Sequence, residues 1–437
     1  MIRLAYDILT DIVTGGAYAN LALKKRLAGA DAAAARSVTA LVYETLERMR
    51  YADFLIGKYA KGRVHGSIRN VLRLSITRLL FMDVPDHAAC SDGAELAKSI
   101  GKASLAGFVN GVLRSVARDR AADKLPALPD EPAERLSVLY GMPRFMVREY
   151  LEDYGEAFTE SLLSSRLHRL TVRAQHPFTA QELAAELEKL GVAFERGKYD
   201  ENALILRGTA DVTGLGLFKT GKMTVQSESA MLACRACRVR PGMTVLDACA
   251  APGGKSAYLW SLMRGEGRIV SAELYPHRAE LIKKTFARLG VTGAEVVTCD
   301  AAESDFGGGS FDAVLCDAPC SGLGGGSKPD AMLNRSGEDI AALAELQLRI
   351  LLNAADRVKE GGCLVYSTCT VSRRENLENA RAFLAKRPDF TAEDCSFLVP
   401  GRDPAAPDCR PFLQLFPNTD GADGFFIARF IKGKNRV

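Results

Sequence analysis

The sequence predicts a multidomain chain: an N-terminal all-α bundle over residues 1–124, a helical connector with a small α/β module over 125–230, and a doubly wound α/β domain over 231–437. Three observations carry that prediction. Apolar residues recur at 3.6-residue spacing as far as about residue 122, as in Val38, Leu41, Val42 and Leu46. Three prolines in eight residues then interrupt the pattern in LPALPDEP (Leu125–Pro132). From about Met231 onward, short apolar runs alternate with helical patterns.

The first part is rich in Ala, Leu and Arg, and its spacing returns in Val71, Leu72, Leu74, Leu79 and Leu80. Its opening, MIRLAYDILTDIV, has no basic leader region or small-residue cleavage site and carries Asp7 and Asp11, so it reads as a helix of the mature chain. Proline cannot continue a helix, which makes Leu125–Pro132 a linker. In the second part LTVRAQ (Leu170–Gln175) and ALILRG (Ala203–Gly208) read as strands around the helix AQELAAELEKLG (Ala180–Gly191). In the third, the strands are TVLDAC, RIVSAE, AEVVTC, FDAVLCD and CLVYSTC, closing with FFIARF. Helices between them imply a parallel sheet, with the last strands antiparallel.

At 437 residues the chain exceeds what one core organises, and 47% hydrophobic with 25% charged residues is ordinary globular composition. No apolar run approaches the roughly 20 residues that span a bilayer, so no membrane partner is expected. Eleven cysteines in a long chain without a secretion signal imply reduced thiols and a cytoplasmic location, not a disulfide scaffold. The net charge of +4 is unevenly spread: residues 1–130 hold 19 Lys and Arg against 13 Asp and Glu, a net of +6, which leaves −2 for the rest. A polyanion would be drawn first to the N-terminal part, where neutralised phosphates release counterions.

The strand TVLDAC runs into APGGKS, a glycine-rich turn that opens a helix at about Ser256. Ligands of doubly wound sheets sit at the carboxyl ends of strands, and Gly253 and Gly254 let the backbone come close to one. The turn is not a GxxxxGK[ST] phosphate loop, because the earlier glycine is missing, and this disfavours ATP. Glu273 ends the second strand, 26 residues after Asp247, where a carboxylate accepts from ribose hydroxyls, and Asp300 ends the third, where it can meet an adenine edge. Together these features point to an adenosine-containing ligand.

Cys320 in CDAPCSG and Cys369 in YSTCT fall just beyond two strands expected to be neighbours, at the same edge as that ligand. Cys299, Cys316 and Cys363 lie in or beside apolar strands and read as packing residues. A thiolate suits one reaction in particular. Carbon 5 of cytosine is a poor nucleophile, but a thiolate added to carbon 6 makes the ring an enamine that can attack a sulfonium methyl. Carbon 5 must then lose its proton, which gives a second group near the adduct a role. Asp317, before Pro319, could hydrogen-bond the base's Watson–Crick edge. The base must be unstacked to reach such a pocket, which favours single-stranded or loop RNA. Cys234 and Cys237 form a CxxC with no second ligand pair, and the five histidines are scattered, so no metal is expected.

At DACAAPGGKS (Asp247–Ser256), CDAPCSG (Cys316–Gly322), YSTCT (Tyr366–Thr370) and DGFFIARF (Asp423–Phe430), with VQSESAM (Val225–Met231) upstream, the chain resembles the RsmB/Sun family of RNA 5-methylcytosine methyltransferases. PDHAAC (Pro85–Cys90) and LAGFVNGVLR (Leu105–Arg114) resemble the NusB-like helical domain of its RsmB subgroup, which methylates bacterial 16S rRNA. The resemblance implies a NusB-like RNA-binding bundle, an RRM-like module and a Rossmann-like methyltransferase domain in the three parts. It implies a monomeric 16S rRNA (cytosine(967)-C(5))-methyltransferase that uses S-adenosyl-L-methionine. By motif position it makes Cys369 the nucleophile and Cys320 the thiol that helps release the adduct, with Asp317 acting beside them. It assigns Cys249, Ala250, Ala251, Pro252, Gly253, Gly254, Lys255, Glu273, Asp300 and Asp317 to the cofactor; the family often has Asp at the Glu273 position. Two departures stand out. GGSKPD (Gly325–Asp330) is shorter and poorer in arginine than the family's loop, which bears on its RNA contacts, and RAQ (Arg173–Gln175) replaces the usual RVN, a change expected to alter an interdomain contact without touching the chemistry. Rival readings are a tRNA cytosine methyltransferase and a noncatalytic NusB-like RNA-binding factor. The bundle argues against the first and the intact cysteines and cofactor loop against the second.

Overall fold

The computed structural model describes residues 1–165, 167, 169–208, 212–324, 333, 335–403 and 406–433. They divide into two compact units: residues 1–164 with Leu333 and 335–337, and residues 165–324 with 338–433. The departing loop GGSKPD lies outside the described residues.

The first unit is helical. Val38, Leu41, Val42 and Leu46 form the inward face of the helix Ala32–Glu47, whereas the helix Gly66–Phe81 is buried on nearly every side, with residues 70–77 all buried and Leu80 only partly so. The proline-rich segment is irregular, as expected, yet the compact unit does not end there. Beyond it, the helix Pro132–Tyr140 buries Ala133 and Leu136 completely. Gly141, at φ +74°, brings the backbone against the Glu47 carbonyl, where a Cβ would lie 2.1 Å from the oxygen. Helices Arg144–Tyr154 and Glu156–Ser164 belong to the same unit. The compact unit therefore extends past the boundary expected at 124, although the buried cluster of the bundle itself draws only on residues up to Val116, and the 125–230 part is shared between the two units.

The second unit begins with the small module: β1 (Leu170–Ala174), β2 (Phe194–Arg196), β3 (Ala203–Leu206) and β4 (Met223–Val225) in the order β2-β3-β1-β4, all antiparallel. Its helix Ala180–Lys189 starts on a reciprocal cap between Thr179 and Glu182 and buries Leu183 and Leu187. At three residues each, β2 and β4 are too short to show an alternating pattern in the sequence.

The large sheet contains β5 (Thr244–Asp247), β6 (Arg268–Glu273), β7 (Ala294–Thr298), β8 (Phe311–Asp317), β9 (Val358–Thr368), β10 (Phe390–Glu393), β11 (Leu413–Leu415) and β12 (Phe425–Lys432). Its order is β10-β12-β9-β8-β5-β6-β7, with β11 on β12. Strands β5 to β9 pair in parallel, while β12 and its partners run antiparallel. Alternate residues feed two cores, Val245, Ala313 and Val365 on one face and Leu246, Val314 and Leu364 on the other, so both faces are covered. The helix after β5 starts at Gly254, two residues before the position expected.

Candidate active site

Parallel pairing brings the carboxyl ends of β5 to β9 to one edge. The chain builds outward from β5 through β6 to β7 and returns on the other side of β5 as β8, so the order reverses between β5 and β8. Crevices for ligands open at such a reversal. The Cys249–Lys255 turn lies there, with Gly253 at φ +99° beside Ile282, 3.2 Å from where a Cβ would sit, and open space at the Cβ position of Gly254. Lys255 closes the crevice by reaching from the β5 turn to the end of β8: its Nζ lies 2.7 Å from Asp317 Oδ2. Burial alone would lower the Lys255 pKa, but the Asp317 carboxylate outweighs it and holds the ammonium charged. The other Asp317 oxygen accepts from Ser367 Oγ at 2.7 Å, its register partner on β9. Beneath the turn, Asp247 is fully buried; burial pushes its carboxyl up to about 6, against the hydrogen bond it accepts from Ser256 Oγ at 2.6 Å.

Glu273 and Asp300 stand at the next two strand ends. Glu273 is buried, and its Oε1 accepts from Tyr275 N at 3.1 Å and lies 3.3 Å from Arg278 Nη1. Asp300 is exposed and accepts from Ala302 N at 2.8 Å. Four carboxylates and a glycine turn along one strand edge match S-adenosylmethionine, whose ribose hydroxyls and ammonium need acceptors and whose chain needs close backbone approach. Glu273, Asp300 and the turn are the groups that would hold it.

The two cysteines meet. Cys320 Sγ and Cys369 Sγ are 3.3 Å apart, and both side chains are partly accessible. Contact with Cys369, then burial, pushes the Cys320 thiol well above its ordinary pKa, so Cys320 keeps its proton when the pair shares one negative charge. The loop approach is close: Gly324 N donates to Cys369 O at 3.0 Å, and a Cβ on Gly324 would collide with the Gly424 carbonyl. Of the expected packing cysteines, Cys316 and Cys363 are buried in β8 and β9, while Cys299 is half-buried just past β7. Cys234 and Cys237 are buried at the end of the helix Glu228–Ala236, with Cys234 donating to Lys255 O at 3.6 Å. Among the described residues no group of three His, Cys, Asp or Glu is placed to hold a metal, and no helix is long and apolar enough to cross a membrane.

Sequence reasoning missed what holds these groups. Arg173, in the departing RAQ, is fully buried in the module; it donates to Gln226 Oε1 at 2.6 Å, Gln175 Oε1 at 2.7 Å and the Gly254 carbonyl at 3.1 Å, and so anchors the cofactor turn. Burial brings its pKa down to about 10. Gln347 is buried in the helix Gly337–Ala355 and donates to Pro319 O at 2.9 Å. Its signal was legible in principle, since a glutamine shares the inward stripe of Ile340, Ala344 and Leu351.

Comparison with known proteins agrees with this architecture. A family model described as 16S rRNA methyltransferase RsmB/F matches residues 236–431, and the NusB family model matches 3–118. The chain is 37% identical to the probable ribosomal RNA small subunit methyltransferase B of Bacillus subtilis, over 98% of each chain. It is 31% identical to the ribosomal RNA small subunit methyltransferase B of Vibrio cholerae, over 86% of this chain and 83% of the other. Among solved structures, a methyltransferase homolog protein from Pyrococcus horikoshii shares 26% identity with a TM-score of 0.61, over 70% of this chain and all of that one. The chain thus belongs to the RsmB/F family of ribosomal RNA small subunit methyltransferases, which take their methyl group from S-adenosyl-L-methionine.

Proposed function

We propose that the chain methylates carbon 5 of a cytosine in 16S rRNA, at position 967, through a covalent adduct between Cys369 and carbon 6 of the ring. The observation that carries this reading is the 3.3 Å approach of two thiols at the ends of adjacent parallel strands, beside the Lys255–Asp317 pair. Bound S-adenosylmethionine would supply an electrophilic methyl group. The Cys369 thiolate adds to carbon 6 while the Asp317 carboxylate accepts from the base's Watson–Crick edge and favours protonation of the adjacent ring nitrogen. Once Cys369 is a thioether, its hydrogen bond with Cys320, the largest cause that raises that thiol, is lost. Once carbon 5 carries the methyl group, Cys320 gives its thiol proton to solvent, the resulting thiolate takes the carbon-5 proton, and the ring's electrons expel Cys369 as a thiolate.

The cytosine would be single-stranded or looped, gripped by the NusB-like bundle, and the enzyme would act as a cytoplasmic monomer. Bisulfite sequencing of 16S rRNA and tRNA with and without the gene tests the assignment. Loss of one 16S rRNA signal supports it. Loss confined to tRNA, or no change, overturns it.

A further inference from the structure

The segment after YSTCT, VSRRENLEN, is used by neither the cofactor site nor the two thiols, yet it places two buried polar side chains against both cysteine loops. Arg374–Glu378 is a single π turn, a wide-turn geometry that often marks functional sites. Glu375 is completely buried and Asn376 nearly so. Burying a carboxylate is costly unless its oxygens are satisfied, so a Glu here needs a reason that a leucine would not.

The hydrogen bonds supply that reason. Glu375 accepts from Ser321 N at 2.8 Å, from Ser321 Oγ, and from Gln347 Nε2 at 2.9 Å, and the same Gln347 amide holds the Pro319 carbonyl. Pro319 and Ser321 are the two neighbours of Cys320. Asn376 Nδ2 donates to the Thr370 carbonyl at 2.9 Å, while Asn376 Oδ1 accepts from Thr368 Oγ1. Thr368 and Thr370 are the two neighbours of Cys369. A direct contact, Ser321 Oγ to Thr370 Oγ1 at 2.9 Å, joins the two loops. Each thiol is thus flanked on both sides by residues tied to one turn.

We infer that Glu375, with Asn376, is a positioning residue that sets the spacing of the Cys320 and Cys369 sulfurs and so couples formation of the adduct to its release. The inference rests on the reading in which the two thiols act in succession, but its test needs no RNA. Phenylarsine oxide bridges two thiols only when they are close, losing its oxygen with the two thiol protons as water. The full chain, treated with phenylarsine oxide and mapped by mass spectrometry, should give a bridged Cys320–Cys369 pair.

Glu375→Gln keeps the shape of the side chain but replaces one acceptor with a donor. It should slow bridging at least tenfold while leaving S-adenosylmethionine affinity, the melting temperature and single-site iodoacetamide labelling of Cys369 within twofold or unchanged. Bridging at the wild-type rate would overturn the inference. So would slowing that merely tracks a fall in melting temperature and cofactor affinity, since that is general damage. Should Glu375→Gln not fold, Ser321→Ala, which removes the shared hydroxyl, is expected to slow bridging in the same selective way, and its failure to do so would overturn the inference equally. If bridging responds as expected but Cys369→Ala still methylates RNA, the positioning role stands and the adduct mechanism fails.

Discussion

In the helical unit several buried polar side chains bond within about a turn of themselves: Thr45 Oγ1 to the Leu41 carbonyl, Thr77 Oγ1 to Arg73, Ser137 Oγ to Met142. At the active site, although Asn376 and Thr368 are 8 residues apart and Asp247 and Ser256 are 9, the pairs that join separate strands are distant in sequence. Ser321 and Glu375 are 54 residues apart, Asp317 and Ser367 are 50, and the two thiols 49. A helix satisfies its polar groups locally, whereas strand ends at a sheet edge must find partners on other strands and loops. Damage to the bundle should therefore stay local, while damage to the edge should propagate across the site.

The largest effect expected is chemical. Cys369→Ala should lower methyl transfer on the order of ten-thousand-fold with S-adenosylmethionine affinity nearly unchanged, measured by radiolabel incorporation and calorimetry. Cys320→Ala should instead accumulate a protein–RNA adduct visible on a denaturing gel. Full activity in Cys369→Ala would refute the assigned roles.

Next comes the ion pair that spans the crevice, whose side chains are each about one-fifth exposed. Asp317→Asn leaves a largely buried ammonium without its partner and should cost about 3 kcal/mol at neutral pH. The sign with pH follows from Lys255. In the wild type its raised pKa contributes stability below the ordinary lysine value, lost only as pH rises through the folded value; without Asp317, burial depresses it and the charged form opposes folding. The melting temperature of Asp317→Asn should therefore recover toward wild type as pH is raised from 7 to 10, which a thermal scan at several pH values would check.

Smaller again is a change confined to the bundle. Gly141→Ala puts a Cβ against the Glu47 carbonyl in a left-handed conformation, and about 2 kcal/mol of destabilisation is expected. Cofactor affinity, which depends on the other unit, should be unaffected in calorimetry. The smallest effect is at the module surface, where Arg207 and Glu195 form an exposed pair at 2.7 Å. Arg207→Ala should leave the melting temperature unchanged within error.

How much of this was legible differs by element. The five parallel strands were readable because each is a continuous apolar run between helical patterns, and the residues at their carboxyl ends followed from the fold class. The short strands β2, β4, β10 and β11 were not, since FER, MTV, FTAE and LQL lack the continuous apolar run that marks β3. Cys320 and Cys369 could be picked out by their strand-end positions, but their 3.3 Å approach could not. Glu375, Asn376 and Arg173 were invisible as site residues, because a charged or polar side chain in a polar-looking segment reads as surface until its burial is known.

Residue type and spacing alone settled the helical and doubly wound architectures, the glycine turn and the acids and thiols available to the chemistry, because periodicity and strand-end placement are local properties of the chain. Only the tertiary structure decided which compact unit the connector helices join, that Lys255 meets Asp317, and that one turn ties both thiol loops together. Those are outcomes of strand order and register, and side chains about fifty residues apart are brought into contact only when the whole sheet closes.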